Sequence, residues 1–329
     1  MILAGDIGGT NARIAFFEVE QRRLKRVCEH VYPSREHPNL ESAVATFIDQ
    51  YRVKPVAACF GIAGPVSGGR LAQMPNLKWV VEADNLKRVI GIRSVTLVND
   101  LEADAYGVAV LQPSDFASLN EGRADPSGNQ GVIAAGTGLG EAGLYWDGKT
   151  HRPFACEGGH VDFGPGDELQ TEMLAYLRRE FGHVSWERAI AGPGLFNVYR
   201  FLRDTTRGEE PAWLRDELTH EDPSAHIARL GLESKSELCV LALDIFVSMY
   251  GAEAGNLALK LMATGGIFIG GGIAPKILRK LQEGGFMGAF VRKGRSEHLL
   301  RHIPVRVILN DKCALLGAAR AAAMRASLL

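Results

Sequence analysis

The stretch Leu3-Ala-Gly-Asp-Ile-Gly-Gly-Thr-Asn-Ala-Arg-Ile-Ala-Phe-Phe17 constrains the fold more than any other part of the chain. Two short apolar runs, Met1–Ala4 and Ala12–Phe17, flank a tight turn rich in glycine, the pattern of a β-hairpin. Gly8 and Gly9 can take positive φ and leave room for a bulky anion beside the main chain. Successive N–H groups in such a turn form a concave site for phosphate oxygens, to which the Thr10 hydroxyl adds a donor. Asp6 is the odd member: a carboxylate beside phosphate is repulsive unless a divalent cation lies between them, which points to Mg²⁺. Taken alone, an ordinary hairpin with a Gly-Gly turn is the better reading of this stretch.

The rest of the chain changes that balance. A polar third strand falls around Lys25–Tyr32, and Leu40–Arg52 has helical spacing after a Pro-bearing loop to Asn39. Pro55–Ile62 is a nearly continuous apolar run, as expected of a strand buried on both faces, and Gly61-Ile-Ala-Gly-Pro65 reads as a turn. Asp84 suits the N-cap of a helix through Ile90, followed by a strand at Ser94–Val98 and a helix at Leu101–Leu111. The same grammar then restarts. Gly131–Ala135 and Glu141–Trp146 enclose a second glycine hairpin, Gly136-Thr-Gly-Leu-Gly140. Helices are expected at Asp167–Phe181, Ser185–Ala191 and Pro193–Leu202, and Asp204–Pro223 reads as an exposed insertion. Lys235–Met262 has the length and apolar content of a mostly buried helix, with Gly251 and Gly255 permitting close packing. Gly266–Ile269 is a strand, Gly270-Gly-Gly-Ile-Ala-Pro275 a turn and Lys276–Glu283 a helix; Val305–Leu309 is a last strand before the Ala-rich amphipathic helix Cys313–Leu328.

Two α/β units, each opening on a glycine hairpin, imply a duplication of fold. A chain of 329 residues has length for two, because single cores rarely grow past roughly 250–300 residues. The expected boundary lies near Leu111–Asp115 with the final helix returning to the first unit, giving domains 1–111 plus 312–329 and 112–311. Ligands of such open sheets sit outside the carboxyl ends of the strands, here in a cleft between the units.

Bulk properties exclude several classes. A net charge of −1 gives no global pull toward nucleic acid or an anionic membrane. The basic run Lys276–Arg306, with eight Lys/Arg against two Glu, reads first as a solvated face. Five scattered cysteines with no CxxC pair indicate reduced thiols in a cytoplasmic protein and no structural zinc. No signal peptide is visible, and the longest uncharged run, Leu261–Pro275, is too short to span a bilayer.

Val95-Thr-Leu-Val-Asn-Asp100 places Asn99 and Asp100 directly after a buried strand, where an α/β fold displays functional side chains. One such residue is explained as the N-cap of the next helix; two exceed what a helix start requires. Glu157 and His160, in Cys156-Glu-Gly-Gly-His160, suit hydroxyl recognition better than metal binding, for which no further ligands lie nearby. Glu187 alone is an unremarkable first-turn glutamate, with Ser185 as its cap. Together Asn99, Asp100, Glu157, His160 and Glu187 supply many acceptors and little apolar surface, as a polyhydroxylated substrate requires. Gly136, Thr137 and Gly138, and likewise Gly270, Gly271 and Gly272, match neither the dinucleotide fingerprint nor the GxxxxGK[ST] loop, yet three glycine turns after buried strands could hold a nucleoside triphosphate.

Gly5-Asp-Ile-Gly-Gly-Thr-Asn-Ala-Arg13, Val98-Asn-Asp100, Gly136–Gly140, Glu157–His160, His183-Val-Ser-Trp-Glu-Arg188 with Gly192-Pro-Gly194, and Gly265–Ala274 together strongly resemble the bacterial glucokinase family, of enterobacterial type, within the sugar kinase, heat-shock ATPase and actin superfamily. The resemblance covers nearly the whole chain in one order. It implies two ribonuclease H-like domains with ATP and glucose in the cleft. It further implies Asp100 as catalytic base and Asn99, Asp100, Glu157, His160 and Glu187 as sugar contacts. Gly5, Asp6, Ile7, Gly8, Gly9, Thr10, Asn11, Gly136, Thr137, Gly138, Gly270, Gly271 and Gly272 would surround the nucleotide, with Asp6 organising Mg²⁺ through water, in a homodimer. Asp162 departs from the pattern, following Val161 where a Thr-Asp pair is expected. The similar repressor/ORF/kinase family carries a Cys-rich zinc motif that this sequence lacks. A sugar-sensing regulator would need a DNA-binding helix-turn-helix ahead of Gly5, where only four residues stand. An ATP-driven chaperone or filament protein would lack the Asn99–Asp100–Glu157–His160 set. Within kinases, mannose, fructose, glucosamine or N-acetylmannosamine are alternative acceptors.

Overall fold

The opening hairpin is longer than its apolar runs suggest, because strand pairing continues through the polar residues at its tip. A computed structural model describes residues 1–74, 77–219 and 222–329 and shows strands β1 (Ile2–Ile7), β2 (Asn11–Glu20) and β3 (Arg23–Pro33). Helix α1 (Leu40–Tyr51) follows, capped by Asn39, whose side chain accepts the Ser42 N–H at 2.9 Å. Then come β4 (Ala57–Ile62), a small antiparallel sheet of β5 (Val66–Ser67), β6 (Leu71–Met74) and β7 (Trp79–Glu82), helix α2 (Ala83–Ile90), β8 (Val95–Asn99) and α3 (Asp100–Val108). The small sheet carries no sequence signal strong enough to be expected. Gly61 and Ile62 belong to β4 instead of a turn, and Asp84 lies inside α2, paired with Lys87, while Glu82 occupies the cap position without a side-chain bond.

The chain divides into two units: Met1–Asp115 with Arg152–Ala155 and Asn310–Leu329, and Phe116–His151 with Cys156–Leu309. In the first, the main sheet runs β3-β2-β1-β4-β8, with β1, β4 and β8 parallel and β2 and β3 antiparallel. Alternate residues of β1 enter two cores. Leu3 and Ile7 join Phe16, Phe47 and Phe60 on one face, while Ile2 and Ala4 join the C-terminal helix Cys313–Arg325 on the other. That double burial is why β1 and β4 read as apolar runs rather than alternating patterns. The C-terminal helix packs against α3 through small residues: a Cβ on Gly317 would stand 1.7 Å from the Ala103 carbonyl oxygen.

The second unit contains β9 (Phe116–Asn120), β10 (Gln130–Ala135) and β11 (Leu139–Trp146); after β12 (His151–Cys156), whose residues Arg152–Ala155 belong to the first unit, it continues with α4 (Glu168–Phe181), α5 (Gly192–Asp204), α6 (Ala212–Glu217), α7 (Pro223–Leu232) and α8 (Glu237–Leu261). Strand β13 (Gly266–Gly270), helices α9 (Leu278–Gln282), α10 (Gly285–Val291) and α11 (Glu297–Arg301) and strand β14 (Val305–Ile308) complete it. Strands β11, β10, β13, β14 and β9 lie side by side in that order. Helix α8 is apolar all round and long enough by composition to cross a membrane, but most of it is buried in this unit's core. Gly251 and Gly255 admit the backbone of α10, since a Cβ on either would stand 2.0 Å and 2.4 Å from the Phe286 and Phe290 carbonyls. The stretch Asp204–Pro223 is not simply an exposed insertion: it forms α6, whose Leu214 is buried, and its residues 220–221 lie outside the described ones. Ser185–Ala191 is a single 3-10 turn, Trp186–Arg188, and Ser185 makes no side-chain cap; it is bridged to Asp162 instead.

Candidate functional site

In the first unit, β8 ends and α3 begins at Asn99-Asp100, both half-buried. The Asn99 side-chain oxygen accepts the Leu101 N–H at 2.9 Å, and its amide group donates to the Gly64 carbonyl at 3.2 Å. Asp100 Oδ1 accepts the same Leu101 N–H at 3.0 Å. Two acceptors on one donor is more than capping requires, and the arrangement fixes both side chains at the carboxyl end of a parallel strand.

The glycine turn lies in the same unit. Gly5, Asp6 and Ile7 are strand residues of β1 paired to Ile14, Arg13 and Ala12, so the turn proper is Gly8–Thr10, with Asn11 opening β2. Gly5 is buried, and a Cβ there would meet Phe60 Cδ1 at 2.5 Å. Neither Gly8 nor Gly9 takes a positive φ. The turn closes by Gly8 N–H to the Asn11 carbonyl at 2.9 Å, so the Gly8 N–H is already engaged within the turn. Ser34, wholly buried, holds this turn from below: its hydroxyl donates to the Gly8 carbonyl at 2.8 Å and its N–H to the Thr10 carbonyl at 2.8 Å.

Burial pushes the Asp6 carboxyl above the usual carboxylate range, Arg13 across the hairpin pulls it down, and Asp311 pushes it up. Arg13 itself is anchored on the Asp311 carboxylate at 3.2 Å and carbonyl at 3.1 Å. One turn after Asp100, Asp104 is pushed up to about 7 by burial and by the charges of Asp6 and Asp100. Among the described residues no group of three or more His, Cys, Asp and Glu is arranged to hold a metal ion. A single carboxylate nonetheless fits Mg²⁺, which keeps most of its waters and takes one or two carboxylates plus substrate phosphates.

In the second unit the structure brings Glu157, His160 and Glu187 together beside the turn Gly136–Gly138. His160 Nε2 lies 3.8 Å from Glu157 Oε2 and its Nδ1 lies 4.0 Å from Glu187 Oε1, close but longer than hydrogen bonds. Glu187 Oε2 accepts the Leu139 N–H at 3.0 Å and would stand 2.5 Å from a Cβ on Gly138. Gly136 N–H donates to the Gly138 carbonyl at 2.8 Å, and Gly192 N–H to the Gly136 carbonyl at 2.8 Å; Thr137 is exposed. Gly270 closes β13 and is buried, whereas Gly271 and Gly272 are exposed. Gly271 has φ +82°, and a Cβ there would stand 2.3 Å from the Ala135 carbonyl. Asp162 binds His183, Oδ1 to Nε2 2.9 Å.

Two residues of these surroundings, Ser34 and Asp104, escaped the sequence reading, and Arg13 entered it only as the end of a motif. Only Asp104 left a trace, its i, i+4 spacing from Asp100 on a helix.

Comparison with known proteins gives a consistent picture. The family model described as glucokinase matches residues 3–325. A glucokinase of Nostoc punctiforme is 39% identical over 338 residues, covering 98% of this chain and 99% of the relative. The crystal structure of a glucokinase from an Antarctic psychrotroph superposes with a TM-score of 0.85 at 31% identity, covering 98% of each chain. A ROK family glucokinase from Streptomyces griseus, in complex with glucose and AMPPNP, shares the fold with a TM-score of 0.68 at 19% identity, over 98% of this chain and 99% of that one.

Proposed function

The chain belongs to the glucokinase family, with the actin-like ATPase fold of sugar kinases, and from that premise we propose how its residues divide the work of phosphorylating the 6-hydroxyl of D-glucose with ATP. Asp100 is the base. A sugar hydroxyl is too weak an acid to ionise unaided, so a carboxylate must accept its proton as the O–P bond forms. The observation that carries this role is the Leu101 N–H shared by Asn99 and Asp100, which orients the carboxylate before substrate arrives. Asn99, Asp100, Glu157, His160 and Glu187 meet the sugar hydroxyls; an analogue lacking one of them would leave a polar group unpaired.

The Gly8–Asn11 turn, supported by Ser34, receives phosphate together with Gly136–Gly138 and Gly270–Gly272. Asp6, Asp100 and Asp104 in one unit repel one another when ionised, which is a reason for a cation to enter with the nucleotide. Mg²⁺, when bound, neutralises charge on the triphosphate, and Asp6 would hold it through water. A cytoplasmic location fits the free cysteines, and a homodimer, suggested by the family resemblance, is tested by sedimentation.

The experiment is a coupled assay for glucose 6-phosphate over a panel of hexoses compared by kcat/KM. Glucose should lead. Preference for mannose, fructose, glucosamine or N-acetylmannosamine would overturn the substrate, and absence of any sugar phosphate would overturn the reaction.

A further inference from the structure

Beneath the turn Glu157–His160 lies a buried acid that the reaction does not use. Glu141, on β11, is 1% exposed, and its Oε1 has no hydrogen-bond partner. Its other oxygen supports the turn directly: a Cβ on Gly158 would stand 1.8 Å from Glu141 Oε2 and 2.5 Å from its Cδ. The neighbouring Gly159 lies on the same strand, where a Cβ would come 2.0 Å from the Leu139 carbonyl oxygen. The Gly-Gly pair therefore rests flat on β11, with the Glu141 carboxyl as part of its floor.

From the other side Glu253 of α8, wholly buried, lies within hydrogen-bond reach of Glu141. Glu253 is already engaged by Asn256 Nδ2 at 2.6 Å and Lys260 Nζ at 2.9 Å. Two buried carboxylates facing one bound ammonium cannot both be ionised cheaply; a shared proton between them removes the repulsion. Burial, then Glu253, hold the Glu141 carboxyl well above the ordinary glutamate range, with Lys260 opposing. The other groups facing the pair are Tyr250 of α8, Cys156 at the end of β12, which itself feels the charge of Glu157, and Lys293, which faces Glu253. The Cys156 thiol and Tyr250 phenol are themselves raised by burial, so both stay neutral while Glu141 gives up its proton.

We propose that Glu141 is a positioning residue for sugar recognition: sharing a proton with Glu253, its carboxyl holds the turn that presents Glu157 and His160. This rests on the reading that those two residues meet the sugar. Loss of the proton sets two charges against each other, and Glu141 can separate from Glu253 only by moving the carboxyl on which Gly158 lies. Sugar affinity then falls as the pH rises, while proton transfer at Asp100, in the other unit, is untouched.

The test measures glucose KM and kcat of the full chain at saturating ATP from pH 6.5 to 9.5, with amide hydrogen exchange of the 156–161 segment, corrected for intrinsic rate. Wild type should show KM rising about tenfold, one pKa unit of coupling, with kcat within about twofold after allowance for assay conditions. Glu141→Gln keeps the shape, carries no charge and can still donate to Glu253, so its KM should stay low and flat and its turn exchange should lose the pH dependence. Glu253→Gln should flatten both profiles as well, and serves if the first variant does not fold. Parallel profiles in wild type and variants, or turn exchange indifferent to pH, overturn the proposal. Glu157→Ala separates the two readings. If it leaves glucose KM unchanged, the sugar assignment fails, and the exchange measurement still decides the role of Glu141.

Discussion

A methyl group added at Gly138 should separate sugar binding from stability more cleanly than removing any sugar contact. In Gly138→Ala the new Cβ would stand 2.5 Å from Glu187 Oε2 and 3.4 Å from Glu187 Cδ. The obstacle is the end of a flexible side chain, so Glu187 yields and the backbone need not. Restoring ordinary contact moves Oε2 by about 1 Å, which breaks its 3.0 Å bond from the Leu139 N–H. Leu139 is buried, so its N–H is left without that acceptor, at a cost of about 1–2 kcal/mol. For a chain of this size that is a fall in Tm of a few degrees, about 2–4 °C per kcal/mol. The sugar loses a charged acceptor worth about 1.5–3 kcal/mol, so glucose KM should rise about 10- to 150-fold. The turnover number at saturating glucose and ATP should stay near wild type, because Asp100 is unaffected. Coupled-assay kinetics and a thermal melt read both quantities from one preparation. An unchanged glucose KM in a folded variant would show that Glu187 does not meet the sugar, and a collapsed melt with normal KM would show that the side chain is purely structural.

Three further outcomes follow from the first unit. Asp100→Ala should retain glucose binding by calorimetry while kcat drops by orders of magnitude; near-normal turnover removes Asp100 from its role. Ser34→Ala deletes the hydroxyl under the Gly8 carbonyl, at about 0.5–1.5 kcal/mol; it should raise the KM for ATP and leave that for glucose alone, and an effect confined to glucose would refute the support assigned to Ser34. Asp104, raised to about 7 in the folded chain from an ordinary value of 3.8, binds a proton that the unfolded chain has lost between those pH values. Its contribution to stability is therefore fully present below pH 3.8 and lost as the pH rises through 7. The unfolding free energy from denaturant titration should fall over that interval by up to about 1.4 kcal/mol per pH unit from this group, and Asp104→Asn should flatten the fall; an unchanged slope would place the proton elsewhere.

The long elements were legible because one face or both faces of each are apolar. The helices expected at Leu40–Arg52 and Lys235–Met262 could be read from spacing and apolar content and the parallel strands from their apolar runs, and the cap at the Asn99–Asp100 pair from residue type, whereas the cap expected at Asp84 fell inside its helix. What escaped was decided by partners distant in sequence. Strands β5 to β7 are two to four residues long and stabilised by pairing with one another, so no period can register in so few positions. Ser34 looks like any loop serine until the hairpin folds over it. Glu141 reads as one acceptor in a strand; only when α8 brings Glu253 against it does its carboxyl become remarkable for its charge. Glu187 was an ordinary first-turn glutamate by sequence, and its place beside Gly138 depends on a fold that joins residues 49 positions apart in that chain segment.

The glycines treated alike in the sequence separate into two physical classes. Gly5, Gly159 and Gly271 each lie where a Cβ would strike the Phe60 ring or a backbone carbonyl, so the fold alone demands glycine there, and at Gly158 a Cβ would displace the buried Glu141 carboxyl. Gly136 and Gly272 have no protein atom within 4 Å of a built Cβ, and Gly8 has only the Asn11 carbonyl at 3.4 Å, an ordinary contact. None of these three takes a positive φ, so neither packing nor backbone geometry explains the missing side chain. A nucleotide passing close to the main chain, as proposed above, would. Alanine at Gly5 should therefore cost about 1–3 kcal/mol of stability through overpacking against the Phe60 ring. Alanine at Gly8, Gly136 or Gly272 should leave the melting temperature nearly unchanged and raise the KM for ATP. If those three variants bind ATP normally, the glycine turns are connections between strands and the nucleotide lies elsewhere.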